Sequence, residues 1–152
     1  MFVSRELIRS RAVAETEKAG AALAAQLTRD DIRFPCFVAL YGDLGAGKTA
    51  FTRGFVSVLS PGSRVKSPTY TVVNEYRRGA VPVFHFDFYR IDGADSLDSI
   101  GFEEYLAGGI CIGEWSENVR ASLPDSAISV TIRKTGEDTR DIEIVREEGE
   151  TC

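Results

Sequence analysis

One stretch of the chain, residues 42–49, combines glycine, lysine and threonine at a spacing that binds phosphate groups. It fits the pattern G-x-x-x-x-G-K-S/T at every fixed position. In such a loop the glycines let consecutive backbone N–H groups turn towards phosphate oxygens, and the following helix adds the positive end of its dipole. We therefore predict phosphate binding by the loop and the start of the helix, namely Leu44, Gly45, Ala46, Gly47, Lys48, Thr49 and Ala50.

The segments on either side of this loop favour that prediction over a glycine-rich turn without a ligand. Residues 36–41 are apolar throughout, which is typical of a buried parallel strand. Residues 48–59 carry apolar side chains at helical spacing. In a strand–loop–helix unit of this kind, Lys48 is expected to reach the outer phosphates and the Thr49 hydroxyl to ligate a magnesium ion.

Two acidic residues are candidates for the rest of a hydrolytic site, which needs a carboxylate for the metal and a group that orients the nucleophile. Asp87 and Glu114 each follow a short apolar run that reads as a strand. Functional groups of open α/β sheets lie at the carboxyl ends of strands beside the loop. With Lys48, these two carboxylates form our predicted catalytic set; the alternative is that both are solvated charges at strand ends.

The neighbours of these carboxylates leave alternatives open. In residues 84–89 the pattern alternates, so three phenylalanines share one face while His85, Asp87 and Tyr89 share the other. His85 is either part of a polar row or a hydrogen-bonded structural residue. Trp115, the only tryptophan, either packs in the core or covers the nucleotide pocket.

Ser67, Pro68 and Thr69 lie between the loop helix and the next strand, where nucleotide switches are often found. The Thr69 hydroxyl could reach the metal or the γ-phosphate, or belong to a plain turn. The chain contains no Asn-Lys-x-Asp sequence to read guanine, which disfavours a GTPase of the Ras kind.

The remaining pattern predicts an α/β fold, in which one P-loop NTPase-like domain over residues 1–152 has a mixed parallel and antiparallel sheet flanked by helices. We expect a helix over residues 10–27 capped by Ser10, and a charged, frayed tail from about residue 146. Further helices are expected over 95–106, interrupted at Gly101, and 116–122, capped by Ser116. Strands are expected over 70–76, 81–89, 110–115, 127–132 and 141–145.

Composition narrows the function classes. The net charge of −5 disfavours direct binding of nucleic acid, which usually needs a basic patch. Three cysteines without a Cys-x-x-Cys spacing disfavour a disulfide framework or a zinc site. This use of cysteine favours a reducing cytoplasm as the location. No apolar run approaches twenty residues, so we expect no transmembrane helix.

Four motifs, in order and in register, resemble the TsaE family, the bacterial P-loop ATPases of tRNA threonylcarbamoyladenosine biosynthesis. They are residues 42–49, 66–70, 85–90 and 113–115. The resemblance covers nearly the whole chain and is looser after Leu123.

The resemblance implies ATP hydrolysis with magnesium on behalf of two partner proteins, TsaD and TsaB, with tRNA reached only through their complex and with no DNA or membrane partner. It implies that Thr49 and Glu114 hold the magnesium ion, that Asp87 acts in hydrolysis and that Thr69 belongs to a switch. Trp115 would lie near the nucleotide and Thr16 near its adenine. Ala50 departs from the family, in which a second threonine is common.

Two other classes of function remain open. A small-molecule or nucleoside kinase uses the same loop, but usually adds a mobile lid with arginines, and no insertion of that kind is evident. A nucleotide-gated binding module would keep the loop without useful turnover.

Overall fold

The computed structural model of the protein describes residues 2–43 and 45–148, apart from the side chains of Phe2 and Glu148. Leu44, which we predicted in the phosphate-binding set, lies outside the described residues. The strands are β1 Phe2–Ser10, β2 Cys36–Tyr41, β3 Val73–Tyr76, β4 Val83–Asp87, β5 Ile110–Glu114, β6 Ile128–Lys134 and β7 Arg140–Glu148. The helices are α1 Val13–Arg29, α2 Lys48–Leu59, α3 Ala94–Ser99 and α4 Phe102–Gly108, and a 3₁₀ segment covers Ser116–Ser122.

The strands of the described ranges form one mixed sheet in the order β1-β7-β6-β2-β5-β4-β3. Its centre is parallel: β2 pairs with β5 and β6, and β5 pairs with β4. Of these, β2, β4 and β5 are buried on both faces, as their nearly unbroken apolar runs predict. The flanking strands β1, β7 and β3 pair antiparallel, so the predicted mixed α/β fold is confirmed.

The parallel centre places the predicted acidic residues together. β5 lies between β2 and β4, and in the register of β4 with β5 Asp87 is paired with Glu114. Both residues end their strands at the same edge of the sheet where β2 runs into the glycine loop.

Helices cover both faces of the sheet. On one face α1 and α2 pack with β2, β6 and β7 in the larger core cluster. The two helices cross closely because Gly20 and Gly54 carry no Cβ; a Cβ on Gly54 would overlap the backbone oxygen of Glu17. On the other face, α3, α4 and the 3₁₀ segment cover an aromatic cluster that contains Phe84, Phe86 and Phe88, as the alternation predicted.

The prediction for the N-terminus was wrong in two respects. Residues 2–10 form an edge strand that pairs with β7, and we predicted no strand there. Ser10 therefore ends β1 and does not cap α1, whose N-cap is Ala12. Charged residues such as Arg5 and Arg9 alternate with apolar ones that remain exposed, for example Leu7. A half-polar edge strand of this kind lacks the apolar run by which the central strands are recognised.

Smaller differences occur elsewhere. β3 begins at Val73, three residues later than predicted, because the chain turns at Val72, whose φ is +69°. Ser116 does not cap the 3₁₀ segment; its hydroxyl donates to the Gly113 carbonyl at 2.8 Å. Residues 146–148 continue β7 and are not frayed, while the rest of the predicted tail, 149–152, lies outside the described residues.

Across the described residues, every helix is too short or too polar to cross a membrane.

Candidate functional site

The glycine loop connects the end of β2 to the first turn of α2. Gly45 and Gly47 have φ values of +80° and +109°, which L side chains rarely adopt, so glycine is required at both positions. The turn is closed by the Ala46 N–H, which donates to the Asp43 carbonyl at 3.0 Å. Gly47 is the N-cap of α2, so the N–H groups of Lys48, Thr49 and Ala50 have no acceptor within the helix. This is the arrangement that binds anions at a helix N-terminus.

The side chain of Lys48 is buried at the mouth of the loop, with only 5% of its surface exposed. Its Nζ donates to the Gly42 carbonyl at 2.6 Å and lies 3.9 Å from the centre of the Trp115 ring. The cation–π contact and the hydrogen bond stabilise a charge that would otherwise be costly to bury. An ammonium group has three N–H donors, so Lys48 can bind a phosphate oxygen in addition.

Glu114 lies beside the start of α2 and is nearly buried. Its Oε1 accepts a hydrogen bond from the Thr49 hydroxyl at 3.3 Å, and its Oε2 lies 2.7 Å from His85 Nε2. His85 Nδ1 is buried without a hydrogen-bond partner among the described residues. We assign the ring proton to Nε2, which donates to Glu114, because the other tautomer would leave a buried N–H unpaired. His85 thus holds one oxygen of Glu114 and leaves the other facing Thr49.

Asp87 is the second nearly buried carboxylate. Its Oδ1 accepts the Tyr89 backbone N–H at 2.9 Å, and its Oδ2 accepts the Thr69 hydroxyl at 3.2 Å. Each oxygen has a lone pair left, and the group lines the same cavity as Lys48. Asp87 can therefore accept a hydrogen bond from a ligand or a water molecule without losing its structural contacts.

The segment that we predicted as a switch is connected to Asp87 through several contacts. The Ser67 and Thr69 hydroxyls lie 3.0 Å apart, and Thr69 reaches Asp87. The Val72 N–H donates to the Pro68 carbonyl, while the Val72 carbonyl accepts the Asp87 N–H, both at 2.8 Å. A positive φ at a β-branched residue such as Val72 is strained, and strain of this kind concentrates at functional sites.

Trp115 also has a strained backbone, with φ of +59° directly after Glu114. Its ring is half-buried under Lys48 and packs against Tyr89, with 5.2 Å between the ring centres. The two aromatic rings therefore form one wall of the cavity.

These groups converge on one cavity of about 500 Å³. Its lining brings together nine predicted residues with Tyr89, which we had placed only in the polar row. The lining consists of Gly45, Gly47, Lys48, Thr49, Ser67, Thr69, Asp87, Glu114, Trp115 and Tyr89. Ala46, Ala50, Pro68 and Thr16 do not line it. Thr16 is buried behind Gly47, where its hydroxyl lies 2.8 Å from that of Ser10.

One arginine of the site was missed by sequence reasoning. Arg140 starts β7 and donates to the carbonyls of Ala46 and Gly45, at 2.9 and 3.3 Å. Its acceptors are backbone atoms almost a hundred residues away, and such contacts leave no motif in the sequence.

The oxygen atoms at this site suit a hard cation such as magnesium. The Thr49 hydroxyl and the Glu114 carboxylate are within 3.3 Å of each other, with Asp87 in the same cavity. Among the described residues, no three His, Cys, Asp or Glu side chains cluster closely enough to bind a metal alone. Magnesium is commonly held by one or two protein oxygens together with substrate phosphates, so the residues present fit it.

Comparison with known proteins gives consistent results. The family model described as Threonylcarbamoyl adenosine biosynthesis protein TsaE matches residues 10–142. The tRNA threonylcarbamoyladenosine biosynthesis protein TsaE of Bacillus subtilis is 41% identical over 104 residues, which is 68% of this chain and 65% of that protein. The Haemophilus influenzae protein of the same name is 42% identical over 71% of this chain and 68% of its own length.

A longer match is found with the Treponema pallidum protein of that name, at 30% identity over 89% of this chain and 96% of the relative. The crystal structure of Bacillus subtilis YdiB superposes with a TM-score of 0.76 at 31% identity, covering 96% of this chain and 88% of that one. The family model spans most of the described fold, including the loop and both carboxylates. The chain belongs to the TsaE family.

Proposed function

We propose that this protein is the ATP-hydrolysing subunit required for threonylcarbamoyl modification of the adenosine next to the anticodon, in tRNAs that read codons beginning with A. It acts on a partner complex of TsaD and TsaB and contacts tRNA only through that complex. The observation that carries the proposal is the convergence of Lys48, Thr49, Asp87 and Glu114 on one cavity at the carboxyl edge of the sheet. The names of the relatives supply the pathway.

In this proposal the phosphates of ATP are bound by the first turn of α2 and by Lys48. The unpaired N–H groups and the helix dipole attract the negative charge, and the buried lysine adds a positive charge beside them. These groups stabilise the charge that moves to the phosphate oxygens during transfer, which is the main source of rate in such enzymes.

Thr49 and Glu114 would hold the magnesium ion, with the hydrogen bond from His85 fixing the orientation of the carboxylate. A bound magnesium ion neutralises phosphate charge and orients the phosphates for in-line attack. Asp87 accepts a hydrogen bond from the attacking water and so orients it. Thr69 and the Tyr89 N–H keep that carboxylate in place.

The proposal that ATP hydrolysis serves other proteins is supported by the charge and the exposed side chains of the molecule. The chain carries a net charge of −5, which does not favour gripping tRNA directly. Tyr70, beside the switch segment, is 87% exposed and lies under Arg90, so the edge of the cavity presents aromatic and basic groups to solvent. Arginine and tyrosine are enriched at protein interfaces.

The test is ATP hydrolysis measured with the protein alone and after addition of TsaD and TsaB. We expect weak turnover by the protein alone and a rate at least tenfold higher with the partners. A tenfold higher rate corresponds to an activation barrier that is lower by about 1.4 kcal/mol. Full turnover without partners, with phosphate passed to a small hydroxyl compound, would instead establish a kinase. Partner complementation by an Asp87→Ala variant that binds ATP but has lost turnover would establish a binding module.

A further inference from the structure

Arg140 lies outside every motif considered above, yet it makes five hydrogen bonds, all to backbone carbonyls. Two of these bonds go to the glycine loop, from Nε to the Ala46 carbonyl at 2.9 Å and from Nη2 to the Gly45 carbonyl at 3.3 Å. The other three run from Nη1 to Gly136, Glu137 and Thr139, in the turn between β6 and β7, at 2.9 to 3.2 Å. The guanidinium group thus bridges the two turns.

The partners of Arg140 show that it is not there to form an ion pair. No carboxylate of a described side chain lies within salt-bridge distance of it, although several other arginines of the sheet have such partners, among them Arg5 and Arg9. The turn that anchors it is closed on its own account, because the Thr135 N–H donates to the Thr139 carbonyl at 3.1 Å and the two hydroxyls lie 2.9 Å apart. The turn that binds Arg140 Nη1 is therefore stabilised by its own hydrogen bonds, while Nε and Nη2 of the same side chain bind the loop.

The geometry of the peptide bond gives this contact a consequence for phosphate binding. In a trans peptide the C=O and the N–H point in opposite directions. The Ala46 carbonyl belongs to the same peptide unit as the Gly47 N–H. When Arg140 holds that carbonyl on the outer side of the loop, the Gly47 N–H is turned to the inner side, towards the cavity.

The neighbouring peptide unit follows the same rule. Arg140 holds the Gly45 carbonyl, and the Ala46 N–H of that unit closes the turn by donating to Asp43. Gly45 and Gly47 have positive φ and no side chain to restrain them. Without an external contact, the peptide units Gly45–Ala46 and Ala46–Gly47 can therefore rotate at low cost.

We propose that Arg140 is a positioning residue, which fixes the phosphate loop in its anion-binding conformation by holding the Gly45 and Ala46 carbonyls outward. The inference rests on the proposed nucleotide site. The positive charge of Arg140 also lies next to the loop, but the positioning role depends on the shape of the guanidinium group. This planar group can hold several carbonyls at fixed angles, which an ammonium group cannot do.

The experiment measures the dissociation constant for ADP with magnesium by calorimetry in the intact chain, Arg140→Met and Arg140→Lys, with Arg9→Met as matched control. Arg9 lies on β1, one register position from Arg140, and its side chain forms an ion pair with Asp141. We expect binding about tenfold weaker for Arg140→Met, or about 1.4 kcal/mol. Arg140→Lys should recover only part of that loss, and Arg9→Met should bind like the intact chain.

A second measurement separates positioning from a general loss of stability. Amide hydrogen exchange at Ala46, whose N–H donates to the Asp43 carbonyl in the closed turn, should become faster in both Arg140 variants. Exchange in the central strands β2 and β5 should stay as in the intact chain. Unchanged ADP affinity in Arg140→Met, or full recovery by Arg140→Lys, overturns the inference. If Arg140→Met does not fold, the lysine variant decides by the same two measurements. An intact chain that binds no nucleotide overturns the proposed function itself.

Discussion

Glu114 joins three parts of the candidate site through one carboxylate. One oxygen contacts Thr49 at the start of α2, the other contacts His85 on β4, and the residue itself ends β5. Because both oxygens already have defined partners, the carboxylate is held in one orientation before any ligand arrives. Such pre-organisation is what metal ligation and transition-state stabilisation require.

The Glu114→Gln variant removes the charge and keeps the shape. We expect ATP hydrolysis in the presence of partners to fall about 100-fold, since the carboxylate that would hold the magnesium ion is lost. The magnesium concentration needed for half-maximal rate should rise, while the thermal midpoint stays close to that of the intact chain.

The matched control for that variant is Glu117→Gln, an exposed acidic residue three positions along the chain. It should hydrolyse ATP like the intact protein. Equal rates for Glu114→Gln and Glu117→Gln would remove Glu114 from the site.

At the scale of the elements, the parts of the fold that could be predicted are those whose signal lies in contiguous residues. The bounds predicted for α2 are those observed, because apolar spacing and the glycine loop mark the same start. Asp87 and Glu114 could be placed at strand ends because both follow short apolar runs. β1 could not, because it is an edge strand whose exposed face mixes charges with apolar residues, and its pairing partner is more than a hundred residues away.

Contacts with backbone atoms that are distant in the sequence could not be predicted either. The arginine that holds the loop, Arg140, reads as one more charged residue before a strand, since the carbonyls it binds carry no sequence signature. The same holds for the crossing of α1 and α2, which depends on two glycines in separate helices. Glycine inside a helix usually lowers the stability of that helix, whereas here it allows the two helices to pack closely.

The close crossing predicts that replacing Gly54 by alanine destabilises the protein, although helix propensity alone predicts the opposite. Gly54→Ala should raise the intrinsic stability of α2 by about 1 kcal/mol. The new methyl group would overlap the backbone oxygen of Glu17, however, so the helices must separate. We expect a net loss of about 3 kcal/mol in the free energy of unfolding, measured by denaturant titration.

Val58→Ala, at a partly exposed position of the same helix, is the matched control. Its effect should be within about 1 kcal/mol. A Gly54→Ala variant as stable as the intact protein would show that α1 and α2 do not cross as closely as described.

For the molecule as a whole, the two-layer cover of the sheet protects its interior chemically. Burial raises the pKa of the Cys36 thiol to about 11 and that of the Cys111 thiol to about 12, from a usual value of 9.0. Raised pKa values lower the fraction of thiolate, which is the reactive form, at any pH below them.

In a Cys152→Ser background, we therefore expect neither thiol to react with a disulfide reagent at pH 8 while the protein is folded. Both should react once the protein is unfolded in guanidinium chloride, and this serves as the internal control. Rapid reaction of either thiol in the folded protein would contradict the packing of β2 against β5 between its two helical layers.

In the proposed function, nucleotide turnover at the loop serves the partner complex, and this is the central claim. The most direct measurement is the yield of threonylcarbamoyladenosine in tRNA, reconstituted with TsaD, TsaB and ATP. It compares the intact chain with Lys48→Ala and with Lys18→Ala, an exposed lysine of α1 as control. We predict that Lys48→Ala reduces the yield at least tenfold and that Lys18→Ala leaves it unchanged. An equal yield from Lys48→Ala would contradict the claim.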